Sequence, residues 1–594
     1  MVSIYLFFVT LSVKYFLISI TLLFFSPRIF GQENFFLLKL DTIKISSRIG
    51  GENIDSVADY NNGLITLNPG GYKFHPFGDF QNKYSNFLNR SFTQFPTLEK
   101  INFKYTSLPH LGFQYSFGSK GIQILQAEYE QFFSKNFGLN VSINRSSIGE
   151  MMREGSYKNN EIEFATYFKG IHYKNHTILT FSNSSIDQNG GLDSANSVIS
   201  FPLEFLKVKK PNAHSDLKNF KASSQHYFNF FHDSLKDFGL VLKNVWKINN
   251  RVYQEKDLLS EVYKKIYIDS FETRDQFQFS RLDSYVGLYK KTKLFSSDIL
   301  FSHGYWDYQN LSKHLDTNEF SLHLNLGLNV KYLKLTNLSY YNLIGAKGEW
   351  FSKFKLSAKR NKFQSNIYLN LEEKLPTIFQ RKYFSNNELW ALIKIETQKS
   401  ITGGFSGEYQ LKKNQLLKFS LNYASYQKSY FFIDSTWRND TLTNLFVLSY
   451  EMKADLKYKS FLFQPYIILN SFSNDINYIP KIDIRTRIAF NKKLFKAKKL
   501  DFIFAADFSY QSSKKLMVYM TNLDLFVLTN SNHFSNSNLY KIDLFTAFQI
   551  DKFRFYIKTE NLNYLWNKSD SYIFRNIPIT PFLIRLGLTW DFFN

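Results

Sequence analysis

Few residues in this chain are spaced for chemistry. His172 and His176, in HYKNH, stand four apart, the separation of a zinc pair on one helix face. The zinc-protease motif requires Glu directly after the first His, and Tyr173 stands there instead. On an extended strand the two residues would lie about 13 Å apart. Ser302 and His303, in FSHGYW, bring a nucleophile next to a base, but neighbours on a strand point to opposite faces and form no dyad. Gly-Gly pairs at 50–51, 70–71, 190–191 and 403–404 lack the Lys-Ser/Thr and the helix that would cradle a phosphate, so they read as turns. Asp543 and Asp551 flank a strand-like run without the context of a glycosidase pair. With 0 Cys there is no thiol catalysis, thiolate metal site or disulfide framework. The expectation is a protein that is not an enzyme and holds neither metal nor cofactor.

The elements that position these residues are legible as an alternation. In FSLHLNLGLNVKY, Phe320, Leu322, Leu324, Leu326, Leu328, Val330 and Tyr332 share one face. Ser321, His323, Asn325, Gly327, Asn329 and Lys331 share the other. Such period-two patterning makes a strand with one greasy and one polar surface. It recurs at 137–144, 417–425, 501–511 and 553–558, and in the closing FLIRLGLTWDFFN. Runs of about 9–12 residues suit a tilted strand crossing a bilayer better than a soluble sandwich. No blade-length repeat points to a propeller. Lipid cannot satisfy open sheet edges, so the sheet must close. Aromatics, at 18% with 64 Phe and 38 Tyr, suit the girdles of such a barrel.

The patterning therefore predicts an all-β chain: a transmembrane antiparallel β-barrel over 99–594, with about 16–18 strands (range 14–20). Short periplasmic turns, such as Asp551-Lys552 and 412–414, would alternate with long extracellular loops at 186–221, 372–399, 427–441 and 560–581. Residues 1–31 read as a signal peptide: Lys14 precedes an apolar run, and Ser26, Pro27 and Gly31 supply the break. The competing reading is a membrane anchor over 3–25, and the uncharged stretch before Lys14 suggests a later start of translation. Residues 32–98 form an N-terminal segment, periplasmic or associated with the lumen. The formal charge of +23 comes without any helix-turn-helix, zinc-finger or RNP-like stretch, so nucleic acid is not an expected partner.

Several stretches resemble the putative-porin family of Bacteroidetes-type outer membranes: RSSIGEMMREGSY (145–157), SIDQNGGLD (185–193), PTIFQRKYFSNNELW (376–390) and the closing 560–593. Gln188 stands where that pattern often has an acid, and Asn387 where it tends to have His. The resemblance implies an outer-membrane barrel of unassigned permeant and brings no catalytic residues. The closing segment also resembles the last hairpin of TonB-dependent receptors, but 32–98 is too short for their plug. Arg585, Gly587, Trp590 and Phe592 resemble the C-terminal signal read by barrel-assembly machinery.

The expected function is a porin-like channel for passive diffusion of small polar solutes or ions. Its candidate lumen residues are His323, Asn325, Asn329, Lys331, Arg585 and Asp591. The alternative is a receptor barrel closed by loops, like a TonB-dependent receptor without a standard plug. Expected partners are outer-membrane lipid and lipopolysaccharide, the assembly machinery and small solutes, with the oligomeric state open.

Overall fold

The computed structural model describes residues 108–593 except 194–201, 231–235, 257–262, 312, 413–414, 434–435, 440–443, 474–477, 498, 528–537 and 567–571. The expected signal peptide and the 32–98 segment lie outside the described residues.

The first strands are β1 (His110–Gly118), β2 (Ile122–Ser134), β3 (Phe137–Ile148), β4 (Tyr157–Lys169), β5 (Tyr173–Asp187), β6 (Ala213–Asn229) and β7 (Lys236–Lys256). Then come β8 (Glu272–Thr292), β9 (Phe295–Asn310), β10 (Lys313–Val330), β11 (Leu333–Ile344), β12 (Trp350–Arg360), β13 (Phe363–Lys374) and β14 (Gln398–Lys412). The series ends with β15 (Gln415–Gln427), β16 (Asn444–Tyr458), β17 (Phe461–Phe472), β18 (Ile482–Leu494), β19 (Leu500–Gln511), β20 (Leu539–Ile550), β21 (Phe553–Glu560) and β22 (Leu583–Phe593). Each strand pairs antiparallel with the next, in a single 22-stranded sheet. The sheet closes where β22 meets β1, with Arg585 opposite Gly118 and Phe593 opposite His110. Closure leaves no edge amide or carbonyl facing lipid. Among the described residues no helix is long and apolar enough to cross a membrane.

The barrel thus has 22 strands, beyond the expected 14–20. The difference arises at one end, where hairpins turn in two residues, at 135–136, 293–294, 331–332, 361–362, 459–460 and 551–552. Asn361, Lys459 and Asp551 take left-handed backbone at the first of these positions (φ 51°, 51° and 47°), as tight hairpins demand. Chain that longer turns would have consumed goes into further strands. All the long connections lie at the other end: 188–212, 257–271, 375–397, 428–443, 512–538 and 561–582. Outer-membrane barrels keep short turns on the periplasmic side and long loops outside, which orients the molecule.

The alternation sorts side chains as expected. On β10, Leu326, Leu328 and Val330 are exposed outward, at 37%, 43% and 47%, where lipid would cover them. On the outer surface of β5–β7, Phe181, Phe220 and Trp246 form a ladder of rings, with centroids 4.9 and 5.3 Å apart. β7 and β8 run for 21 residues each, about twice what a bilayer requires, so their upper halves stand above it.

Candidate functional site: the capped mouth and the lumen wall

The upper inner wall of β7 and β8 carries Arg251, Tyr253, Glu255, Thr273, Asp275 and Phe277, all buried. The connection 512–538 meets Arg251 and Tyr253 among them, through Thr521 and Asn522. It leaves β19, on the opposite side of the closed strand order, and reaches β7. There Arg251 donates from Nη1 to the Asn522 carbonyl and from Nη2 to the Thr521 carbonyl, both at 2.6 Å, and from Nη2 to Ser215 Oγ at 3.1 Å. Charge-assisted bonds of this kind are roughly twice as strong as neutral ones. The connection therefore crosses the mouth and is pinned on the far wall.

Two apolar cores fill in around it. One gathers Phe277 of β8 and Tyr308 of β9 with Phe379, Tyr383 and Trp390 of 375–397, Phe432 and Trp437 of 428–443, and Leu523 of 512–538. Its rings interlock: Tyr383 stacks on Trp390 at 4.6 Å, and Phe432 meets Trp390 at 5.1 Å and Trp437 at 5.4 Å. Burying one such side chain contributes about 2–3 kcal/mol, which sets loop order against loop entropy. The other core joins Met152, Leu192, Leu206, Tyr478, Met517, Tyr519, Phe574 and Ile577, drawn from five connections.

Two motifs noted in the sequence converge here. Within SNNE, the Asn386 amide donates to Asp275 Oδ1 at 2.9 Å, and the Asn386 and Asn387 side chains donate to Thr273 Oγ1 at 2.9 and 2.8 Å. Ahead of it α1 (Ile378–Arg381) starts from a capping box, with Thr377 Oγ1 accepting from the Gln380 amide at 3.3 Å. Within QNGG, Gln188 donates to Ser215 Oγ at 3.3 Å, and Gly191 has φ +82°. A Cβ on Gly191 would lie 2.7 Å from the Asn576 carbonyl oxygen, so only glycine lets connections 188–212 and 561–582 meet there. Lys210 reaches Glu255 at 3.4 Å, and burial pulls its amine below the usual range while that carboxylate opposes the shift. Burial likewise pulls the Lys514 amine down to about 8, against the opposing charge of Asp483.

The lumen candidates fall at several places on the wall. His323 faces inward, its Nε2 2.9 Å from Ser302 Oγ, between the rings of Tyr285 (5.1 Å) and Tyr340 (4.9 Å). Ser302 thus meets His323, while its neighbour His303 is exposed on the opposite face against Phe320. Asn325 donates to Asp298 Oδ2 at 3.5 Å. Asn329 lies near the periplasmic end of β10, its amide donating to the Leu294 carbonyl at 2.7 Å. Lys331 does not line the wall: it occupies the turn after β10, with φ 37° and its amine 4.9 Å from the Tyr332 ring. The inward alternation ends with the strand, which sequence periodicity does not mark. His172 sits in the turn before β5 and His176 on that strand.

Arg585 is buried and pairs with Glu560, which Lys558 also reaches at 2.7 Å. Asp591 pairs with His110 Nε2 at 3.2 Å across the closing seam. Gly587 is covered by Tyr556, whose Cζ would lie 2.2 Å from an added Cβ. Trp590 points outward, and its ring meets Phe592 at 4.2 Å and Phe553 at 5.5 Å. The pinned connection 512–538 and the polar floor on β7 and β8 were not foreseen from sequence. The available signal was compositional: Trp390, Trp437, Tyr430 and Phe432 are costly residues to leave in solvated loops.

Residues 39–594 match the profile of a family described as "Putative porin". No curated protein matches the chain. Among solved structures it is similar to the copper transporter OprC, at 9% identity and TM-score 0.59, over 83% of each chain. It is also similar to the ferric-catecholate import receptor Fiu from E. coli, at 9% identity and TM-score 0.56, over 82% of each chain. The siderophore receptor PirA from Acinetobacter baumannii aligns at 10% identity and TM-score 0.56, covering 82% of this chain and 81% of that one. At such identities the likeness is one of fold.

Proposed function

The chain belongs to the "Putative porin" family, and from that premise we propose an outer-membrane passage for small polar solutes whose outer mouth is held shut at rest by its own loops. The family and the barrel fold point to the outer membrane. The observation that carries the capped reading is the bond from Arg251 on β7 to a connection rooted on the opposite wall. Solute enters when that connection lifts; the reading involves no catalytic step, and lipid and lipopolysaccharide are the outer neighbours. An open diffusion pore is the competing reading.

Planar-bilayer recording of the full chain separates the two. The capped barrel gives silence or brief openings, and replacing 513–537 by a short Gly-Ser link gives steady large steps. Steady large steps from the intact chain would return the protein to the open-pore reading.

A further inference from the structure

The outer surface of β3–β7 changes character between two adjacent rows of paired residues. Ile143, Ile162, Phe181, Phe220 and Ile248 stand directly across from one another on successive strands, and all are apolar. Next toward the outer end on the same face come Arg145, Asn160, Asn183, Lys218 and Asn250, again paired in register, and all are polar. One row further, Lys158 faces Ser147 and Ser185. These rows share the lipid-facing side with the rings of Phe181, Phe220 and Trp246.

Arg145, Lys158 and Lys218 are exposed, as are Asn160 and Asn183 between them. With strands about 4.8 Å apart and about 3.3 Å per residue, the three cations fall within about 15 Å of one another. Nearer the outer end of this face, Asp187 and Asp216 share His214 at 2.9 and 3.3 Å. Another part of the circumference is built differently. Ile484, Tyr510 and Tyr540 form an outward row near the outer ends of β18–β20, whose outer halves place no Lys or Arg outward. A cation facing lipid is costly at mid-depth but nearly free at the boundary, and Lys and Arg extend from there to the headgroups. The sector on β3–β6 is therefore cationic just above an apolar band, the complement of an anionic amphiphile.

We propose that Arg145, Lys158 and Lys218 hold the phosphate of an outer-leaflet glycolipid whose acyl chains lie along the Phe181–Phe220–Trp246 ladder. Asn160 and Asn183 supply amide donors to its sugar or phosphate oxygens. Guanidinium and ammonium bonds to phosphate are charge-assisted, and clustered basic residues at a membrane boundary recognise anionic headgroups. The occupant is a lipid rather than free phosphate, because the ring ladder begins one row below Lys218 and Asn183. The site lies outside the passage and stands or falls independently of the capped mouth.

The test is native mass spectrometry of the full, delipidated chain in detergent, titrated with lipid A, with lipid A stripped of its phosphates, and with inorganic phosphate. Lipid A binds, the stripped lipid binds at least tenfold more weakly, and a large excess of inorganic phosphate does not displace lipid A. The triple variant Arg145→Gln, Lys158→Gln, Lys218→Gln loses at least tenfold in affinity for lipid A, while Lys459→Gln, in a periplasmic turn, loses nothing. Lys218→Gln alone loses several-fold and serves if the triple variant fails to fold. Equal binding of the stripped lipid, displacement by inorganic phosphate, or unchanged lipid A binding in either variant of the site overturns it while leaving the capped passage standing. Steady large conductance steps from the intact chain, with lipid A binding that the triple variant loses, would do the reverse.

Discussion

At the periplasmic end β20 passes into β21 through Asp551 and Lys552 alone. At the outer end β19 and β20 are joined by 512–538, which crosses the mouth and is bonded to β7. The first connection does no more than reverse the chain. The second adds Met517, Tyr519 and Leu523 to cores shared with other connections and gives up backbone carbonyls to a buried guanidinium. The wall between them is a repeating product of pairing and alternation, so its turns can be minimal. The outer end is a packed structure in which each loop depends on others, and the capacity to open or stay shut resides there.

The comparison is broken most completely by removing the wall's last strand. Deleting 585–594 takes away Arg585, Gly587, Trp590 and Phe592 and leaves β1 and β21 with open edges in lipid. The expected outcome is no folded barrel in the membrane, scored by loss of heat-modifiable mobility on detergent gels. A normally assembled truncation would show that closure by β22 is dispensable.

Next in size is Arg251→Ala, which leaves two carbonyls of the crossing connection without their donor. Unpaired buried carbonyls cost about 1–3 kcal/mol each, so the cap should open far more often while the wall stays folded. Trypsin cleavage after Lys514 or Lys515 reads this out, since both lie in the connection. A faster cut with unchanged gel mobility separates cap from wall, and an unchanged cut would remove Arg251 as the pin. Gly191→Ala acts on the same end more weakly, through a left-handed backbone (φ +82°) and a 2.7 Å approach to Asn576. A cost of about 1–3 kcal/mol is expected, seen as faster hydrogen exchange in 188–212 and 561–582 together.

The two ends were not equally legible in the sequence. The wall was, because period two is a local signal: Leu326, Leu328 and Val330 fall outward as their spacing dictates. The closing strand was visible for the same reason. Strand number was underestimated because turns such as 331–332 and 361–362 contain no Pro or Gly to mark them. The cap was not legible, since its order comes from pairs far apart in sequence, such as Arg251 with Thr521 and Gly191 with Asn576. Nothing in TNLDL announces that its carbonyls will face an arginine on another strand.

The smallest effect is expected at the plainest turn. Asp551 holds φ 47° at the first position of a two-residue hairpin, where glycine is at least as comfortable as any other residue. Asp551→Gly relieves that conformation and at the same time frees the unfolded chain, two contributions of similar size and opposite sign. The net change should stay within about 0.5 kcal/mol, measured from the urea concentration at which the barrel unfolds in micelles. Conductance and trypsin cutting at Lys514 should not move. A loss above about 2 kcal/mol, or a change in cap opening, would mean that the periplasmic turn communicates with the mouth through the strands it joins. The wall would then be part of the gate rather than its frame, and the contrast between the two ends would have to be redrawn.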